Sequence, residues 1–170
     1  MQFKIRIASA QDVEGVFALE RAVPEAPHWS REEYVGLVGG DATGSVSRCL
    51  LVAEAVKNTG AGNLAGFAVG KVIVMGKDSV GELESMVVAE NARRMGLGRA
   101  LCEGIVEWCR DRGAQGVELE VRSRNYSAKR LYAGLGFVEE GLRRGYYRDP
   151  MDDAVLMRIH LDTTDAAAHR

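Results

Sequence analysis

The residues best suited to chemistry are Arg93-Arg94-Met95-Gly96-Leu97-Gly98-Arg99, set between an apolar strand pattern and an apolar helix pattern. Glycine at 96 and 98 removes side chains where a ligand must approach the backbone. The helix that follows presents unpaired N–H groups and the positive end of its dipole. Together with the arginines this suits a pyrophosphate. The same stretch also reads as a glycine-eased turn with solvated arginines, because short glycine patterns are weak evidence alone. Two other phosphate loops are excluded. No Gly-Lys-Ser/Thr occurs, as a P-loop needs, and the third glycine of a dinucleotide fingerprint would fall at Leu101. Upstream, Glu82 and Glu84 alternate along a strand; downstream, Glu118 and Glu120 do the same opposite the apolar face of Val117, Leu119 and Val121.

The elements that must position these groups follow from period and punctuation. Phe3, Ile5 and Ile7 alternate as a first strand. Ser9 with Asp12, and Ser30 with Glu33, carry capping-box signals for a helix ending before Pro24 and a short one over 31–38, closed by Gly39-Gly40-Asp41. Strands over 48–56 and 64–74 flank the turn-rich 57–62 and read as a hairpin. A strand over 80–88 places Glu82, Glu84, Met86 and Val88 on one face and Leu83, Ser85 and Val87 on the other, by simple alternation. Leu97, Leu101, Ile105 and Trp108 form one helical stripe ending at Gly113. A strand over 117–121 follows, and Asn125 is the N-cap of a helix bearing Leu131, Tyr132 and Leu135. Two closing strands cover 137–147 and 154–161. The expected fold is α/β, a single domain over 1–161 on a mixed sheet, with one parallel β-α-β crossover over 80–121. Residues 162–170 read as a disordered tail.

Composition bounds the function. The 170 residues are 46% hydrophobic and 27% charged, with net charge −2, an ordinary globular balance that leaves no broad basic field for nucleic acid. No apolar run approaches the ~20 residues that span a bilayer, and the start of the sequence has no signal-peptide core. Cys49, Cys102 and Cys109 lack a C-x-x-C pair and fit a reducing cytoplasm, the latter two as small apolar groups of one helix. His28, His160 and His169 share no ligand spacing, so no metal is assigned.

Arg93-x-x-Gly96-x-Gly98, preceded by Val87-Val88, resembles the acetyl-CoA signature of the GNAT N-acetyltransferase superfamily, and the element order matches that fold over nearly the whole chain. Four further blocks narrow the likeness. They are Leu119-Glu120-Val121-Arg122-Ser123-Arg124-Asn125, Leu131-Tyr132-Ala133-Gly134-Leu135-Gly136-Phe137, Arg143-Arg144-Gly145-Tyr146-Tyr147 and Asp153-Ala154-Val155-Leu156-Met157. With Trp29-Ser30 they look like the ribosomal-protein-alanine N-acetyltransferases of the RimI type. Met95, where a polar residue is usual, and Ala89-Glu90, where Asp-Pro is common, depart from the pattern at positions that act through backbone.

The resemblance implies a mostly antiparallel sheet with helices on both faces, and acetyl-CoA as donor. It implies that Met86, Val87 and Val88 meet the pantetheine arm, that Arg93, Arg94, Met95, Gly96, Leu97, Gly98 and Arg99 form the pyrophosphate loop, and that Asn125 touches the cofactor. Glu120 matches the proton acceptor and Tyr132 the proton donor. From periodicity alone Glu120 is equally a solvent-facing strand glutamate and Tyr132 a core tyrosine. Glu82 matches the base of the histone-acetylating branch, and with Glu84 is a reserve base or a seat for the acceptor's charge. Tyr146 and Tyr147 line the acceptor groove or fill a strand face. The expected acceptor is a protein N-terminal α-amine; a small-molecule amine, or a non-catalytic acyl-CoA-binding module, are the alternatives.

Overall fold

The computed structural model describes residues 2–24, 26–38, 44–56 and 63–161. The expected turns at 39–41 and 57–62 and the tail at 162–170 lie outside these. Seven strands form one sheet in the order β1-β2-β3-β4-β5-β7-β6. They are β1 (Phe3–Ile7), β2 (Val46–Ala55), β3 (Leu64–Met75), β4 (Asp78–Val88), β5 (Gly116–Arg122), β6 (Val138–Tyr147) and β7 (Asp152–His160). Every neighbouring pair is antiparallel except β4 and β5.

Local chemistry sets the helices. Ser9 and Asp12 form the expected capping box, on a 3-10 turn (Ala10–Asp12) that leads into α1 (Val13–Arg21). Ser30 and Glu33 cap α2 (Arg31–Val38), the Ser30 N–H donating to Glu33 at 2.6 Å. The stripe of α3 (Leu97–Asp111) buries Leu97, Leu101 and Ile105 against the sheet. Asn125 caps α4 (Tyr126–Gly134), accepting from the Ala128 N–H at 3.2 Å. One apolar cluster holds α3 and α4 to one face; Val16, Tyr34 and Leu37 hold α1 and α2 to the other, against Leu50, Val52 and Phe67.

The alternation expected for β4 does not hold. Val69 pairs with Ser85 and Gly70 with Leu83, so Glu84 is an extra residue bulged out of the ladder. The bulge reverses the parity of everything after it. Leu83 therefore shares the α3 side with Met86 and Val88, while Val87 packs in the α1/α2 cluster. The parallel crossover is present but brief: only Gly81–Val117 and Glu82–Glu118 pair. Beyond them no ladder joins the two strands, and β4 from Leu83 to Val88 faces β5 across an open wedge.

Candidate functional site

The loop that leaves β4 ends at the mouth of that wedge. Arg94 (φ 64°) and Gly96 (φ 76°) take left-handed backbone, which turns the chain into α3. Among the described residues nothing accepts from the backbone N–H groups of Arg94 through Arg99. Six adjacent orphan donors at a helix start are a cradle for an anion, and they fit a pyrophosphate. Gly98 has a packing reason too, since a Cβ there would stand 3.2 Å from Leu131 and 3.6 Å from Met86. Leu97 contributes only its N–H, because its side chain is core at 3% exposure. Met95 is exposed; Arg93 turns back to the Val88 carbonyl at 3.4 Å, and Arg99 pairs with Glu103 at 3.1 Å. With the cap holding its Oδ1, Asn125 keeps its side-chain amide N–H groups to donate.

Across the wedge stand the two β5-side groups. Val117, Leu119 and Val121 enter the α3/α4 cluster, so Glu120 projects on the opposite face, 3.4 Å from the Arg143 guanidinium. Tyr132, on α4, lies on the α3/α4 side, edge-on to Phe137 at 5.9 Å. No described group hydrogen-bonds its hydroxyl. Burial pushes that phenol well above its ordinary pKa, and Cys102 and Tyr147 add to the shift. It is thus a firmly protonated hydroxyl without a protein partner. Tyr147 is raised by burial first and then by Glu120, so it lies within electrostatic reach of both groups. Arg122 sits 4.3 Å over its ring, and Tyr146 meets it edge-on at 5.1 Å. Sequence left these tyrosines between groove and strand face; Tyr147 is half-buried beside Glu120, whereas Tyr146 is exposed.

Glu82 and Glu84 are already paired. The Lys71 ammonium lies 3.3 Å from Glu82 and 3.1 Å from Glu84, and Arg48 reaches Glu84 at 3.4 Å. Burial opposes the Lys71 charge, yet the two carboxylates outweigh it and raise its pKa. Arg48 also borders a cavity of about 570 Å³ between α2 and β2, lined by Trp29, Glu32, Glu33, Leu37 and Val46. Lys71 and Arg48 escaped the sequence reading, and Arg143 entered it only as part of a family block, with no role; each acts through a cross-strand contact with no local signature. Among the described residues no three His, Cys, Asp or Glu side chains gather to hold a metal, and no helix is long and apolar enough to cross a membrane. The histidines have other contacts: His160 meets Glu140 at 2.9 Å and His28 the Pro24 carbonyl at 3.2 Å, while His169 lies outside the described residues.

Residues 16–137 match the family described as Acetyltransferase (GNAT) family. The chain is 37% identical over 100 residues to the [ribosomal protein bS18]-alanine N-acetyltransferase of Escherichia coli K12, a match spanning 58% of this chain and 65% of that one. It is 31% identical over 157 residues to its Salmonella typhimurium counterpart, covering 91% of this chain and 95% of that protein. The crystal structure of the ribosomal-protein-S18-alanine N-acetyltransferase from Escherichia coli superposes with TM-score 0.71 at 28% identity, covering 95% of each chain. With the loop, the brief parallel pair and the element order all in place, this chain belongs to the GNAT family of acetyltransferases.

Proposed function

We propose that the protein transfers the acetyl group of acetyl-CoA to the α-amine at a protein N-terminus. One observation carries the reading: β4, whose pairing with β5 stops after Glu82, runs out into the six orphan amides of Arg94 to Arg99, which fit the pyrophosphate of acetyl-CoA, while Glu120 and Tyr132 lie on opposite faces of the sheet. Acetyl-CoA supplies an activated acyl carbon and a thiol leaving group.

The chain's own residues meet the three demands of acyl transfer to an amine. An α-amine, of pKa about 8, arrives largely protonated and must lose a proton to become a nucleophile. Glu120 takes that proton, directly or through a water. Its rivals Glu82 and Glu84 are neutralised by Lys71 and Arg48, whereas Glu120 has only an exposed guanidinium. Tyr132 gives its proton to the departing sulfur, a role that suits a hydroxyl kept protonated by burial. The backbone N–H of Val88, which points to the unpaired edge of β4 because that of Ala89 donates to Ala65 on β3, stabilises the developing oxyanion, a contribution of about 3 kcal/mol.

The peptide reading draws on the alanine N-acetyltransferases to which the chain is similar, and on the cavity beyond Arg48, which offers room for the residues behind the amine. The three reduced, buried cysteines accord with work in the cytoplasm. Acetyl-CoA turnover is measured by mass across a panel of peptide N-termini, free amino acids and polyamines. Peptides are expected to be acetylated at the α-amine. Transfer to free amines alone contradicts the acceptor assignment, and CoA binding without any transfer contradicts catalysis.

A further inference from the structure

We infer that Arg143 is a displaceable counter-ion for Glu120: it balances the carboxylate in the unliganded protein and yields to the positive charge of the incoming amine. The inference rests on the reading of Glu120 as the base.

Four carboxylates, Glu82, Glu84, Glu118 and Glu120, share the sheet face opposite α3, and three are paired to half-buried cations. Lys71, with a side chain 17% exposed, serves Glu82 and Glu84. Arg158, 20% exposed, serves Glu118 at 2.9 Å. Glu120 differs. Its partner's side chain is 62% exposed, the contact is 3.4 Å, and the other neighbour of that guanidinium is the Tyr146 ring at 5.6 Å. Such a pair gives little in water and is readily exchanged.

The backbone carrying Arg143 is also loosely tied. β6 is the outer strand of the sheet; its pairing with β7 is irregular between Arg143 and Tyr147, and Gly145 takes left-handed backbone at φ 61°. The side chain can therefore swing away without breaking a regular ladder. An amine arriving as ammonium replaces one cation with another, so Glu120 never faces the groove uncompensated. Arg143 then competes with the acceptor and acts through Glu120, as a positioning residue.

The test is steady-state kinetics, in acceptor peptide at saturating acetyl-CoA, for Arg143→Ala, Arg143→Lys and Arg144→Ala, the last removing the same charge one residue along. Thermal melts confirm that each variant is folded. Arg143→Ala is expected to lower the acceptor KM about two- to fivefold, the range for losing an exposed ion-pair competitor, with kcat within about twofold. Arg143→Lys restores the wild-type KM, and Arg144→Ala leaves it unchanged. A raised KM means that Arg143 holds the acceptor itself, and an unchanged KM means that the pair has no consequence; either overturns the inference, as does an equal effect of Arg144→Ala. Glu120→Gln separates the two levels. If that variant turns over normally, the base assignment fails and this inference with it. If it loses turnover while Arg143→Ala leaves KM alone, only the counter-ion role fails.

Discussion

Replacing Gly96 by alanine separates the fold of the loop from its function. Gly96 sits at φ 76°, and a Cβ built there meets nothing within 4 Å. The cost in the folded protein is therefore backbone strain alone, about 1 kcal/mol for a non-glycine residue in left-handed conformation. For a chain of this size that lowers Tm by about 2–4 °C. Relief of the strain would turn the neighbouring N–H groups away from a common focus, and losing one hydrogen bond to a charged phosphate costs about 1.5–3 kcal/mol. Coenzyme A should then bind about tenfold or more weakly. Gly76, in the β3–β4 turn, provides the comparison: its φ is 63° and its Cβ would also meet nothing within 4 Å. Gly76→Ala is expected to lower Tm similarly with CoA affinity unchanged. Calorimetric titration and thermal melts on both variants give the answer. If Gly96→Ala loses stability but binds CoA normally, the loop does not grip the pyrophosphate. If Gly76→Ala weakens CoA equally, the effect is general softening rather than local geometry.

Glu120→Gln should lower kcat/KM by about 100-fold or more, while Glu82→Gln, already tied to Lys71, loses less than about tenfold; the reverse order moves the base to β4. Tyr132→Phe should reduce kcat at least about tenfold with CoA affinity and Tm nearly unchanged, because the hydroxyl it removes has no described hydrogen-bond partner; unaltered turnover makes Tyr132 a core residue only. At the start of the chain, hydrogen bonds from Arg6 hold the Asp12 carboxyl below its ordinary 3.8, against the opposing effect of burial. A depressed acid stabilises the fold above its ordinary pKa, and that contribution disappears as pH falls through the folded value. Asp12→Asn should therefore melt below wild type at neutral pH, with the gap closing below about pH 4; a gap that persists there assigns the loss to the cap instead.

Short-range chemistry was legible in the sequence. Ser9, Ser30 and Asn125 announce their caps within three residues, and the Leu97–Ile105 stripe fixes which side of α3 is buried. The glycine loop was legible for the same reason, since its donors belong to adjacent residues. Features that depend on a partner strand were not. Glu84 looks like any alternating strand residue, and only the register with β3 shows it bulged out, so alternation placed Val87 with Leu83 when the two end on opposite faces. Likewise Val80–Val88 and Val117–Val121 read as a parallel pair, but nothing local signals that the pairing stops after Glu82. The pairing of the carboxylates with their cations is the clearest omission. Lys71 and Arg143 lie 11 residues before Glu82 and 23 after Glu120 in the chain, and only the sheet brings them together. Glu120 and Tyr132 were singled out by resemblance; their separation onto opposite faces of the sheet is a property of the fold.

An amide NMR titration with coenzyme A tests most directly whether main-chain amides at one helix mouth hold the cofactor. The largest shifts should fall on the N–H groups of Arg94 to Arg99, with smaller ones on Met86 to Val88 and Asn125. Saturable binding whose shifts cluster elsewhere, or no binding at millimolar coenzyme A, would contradict the account.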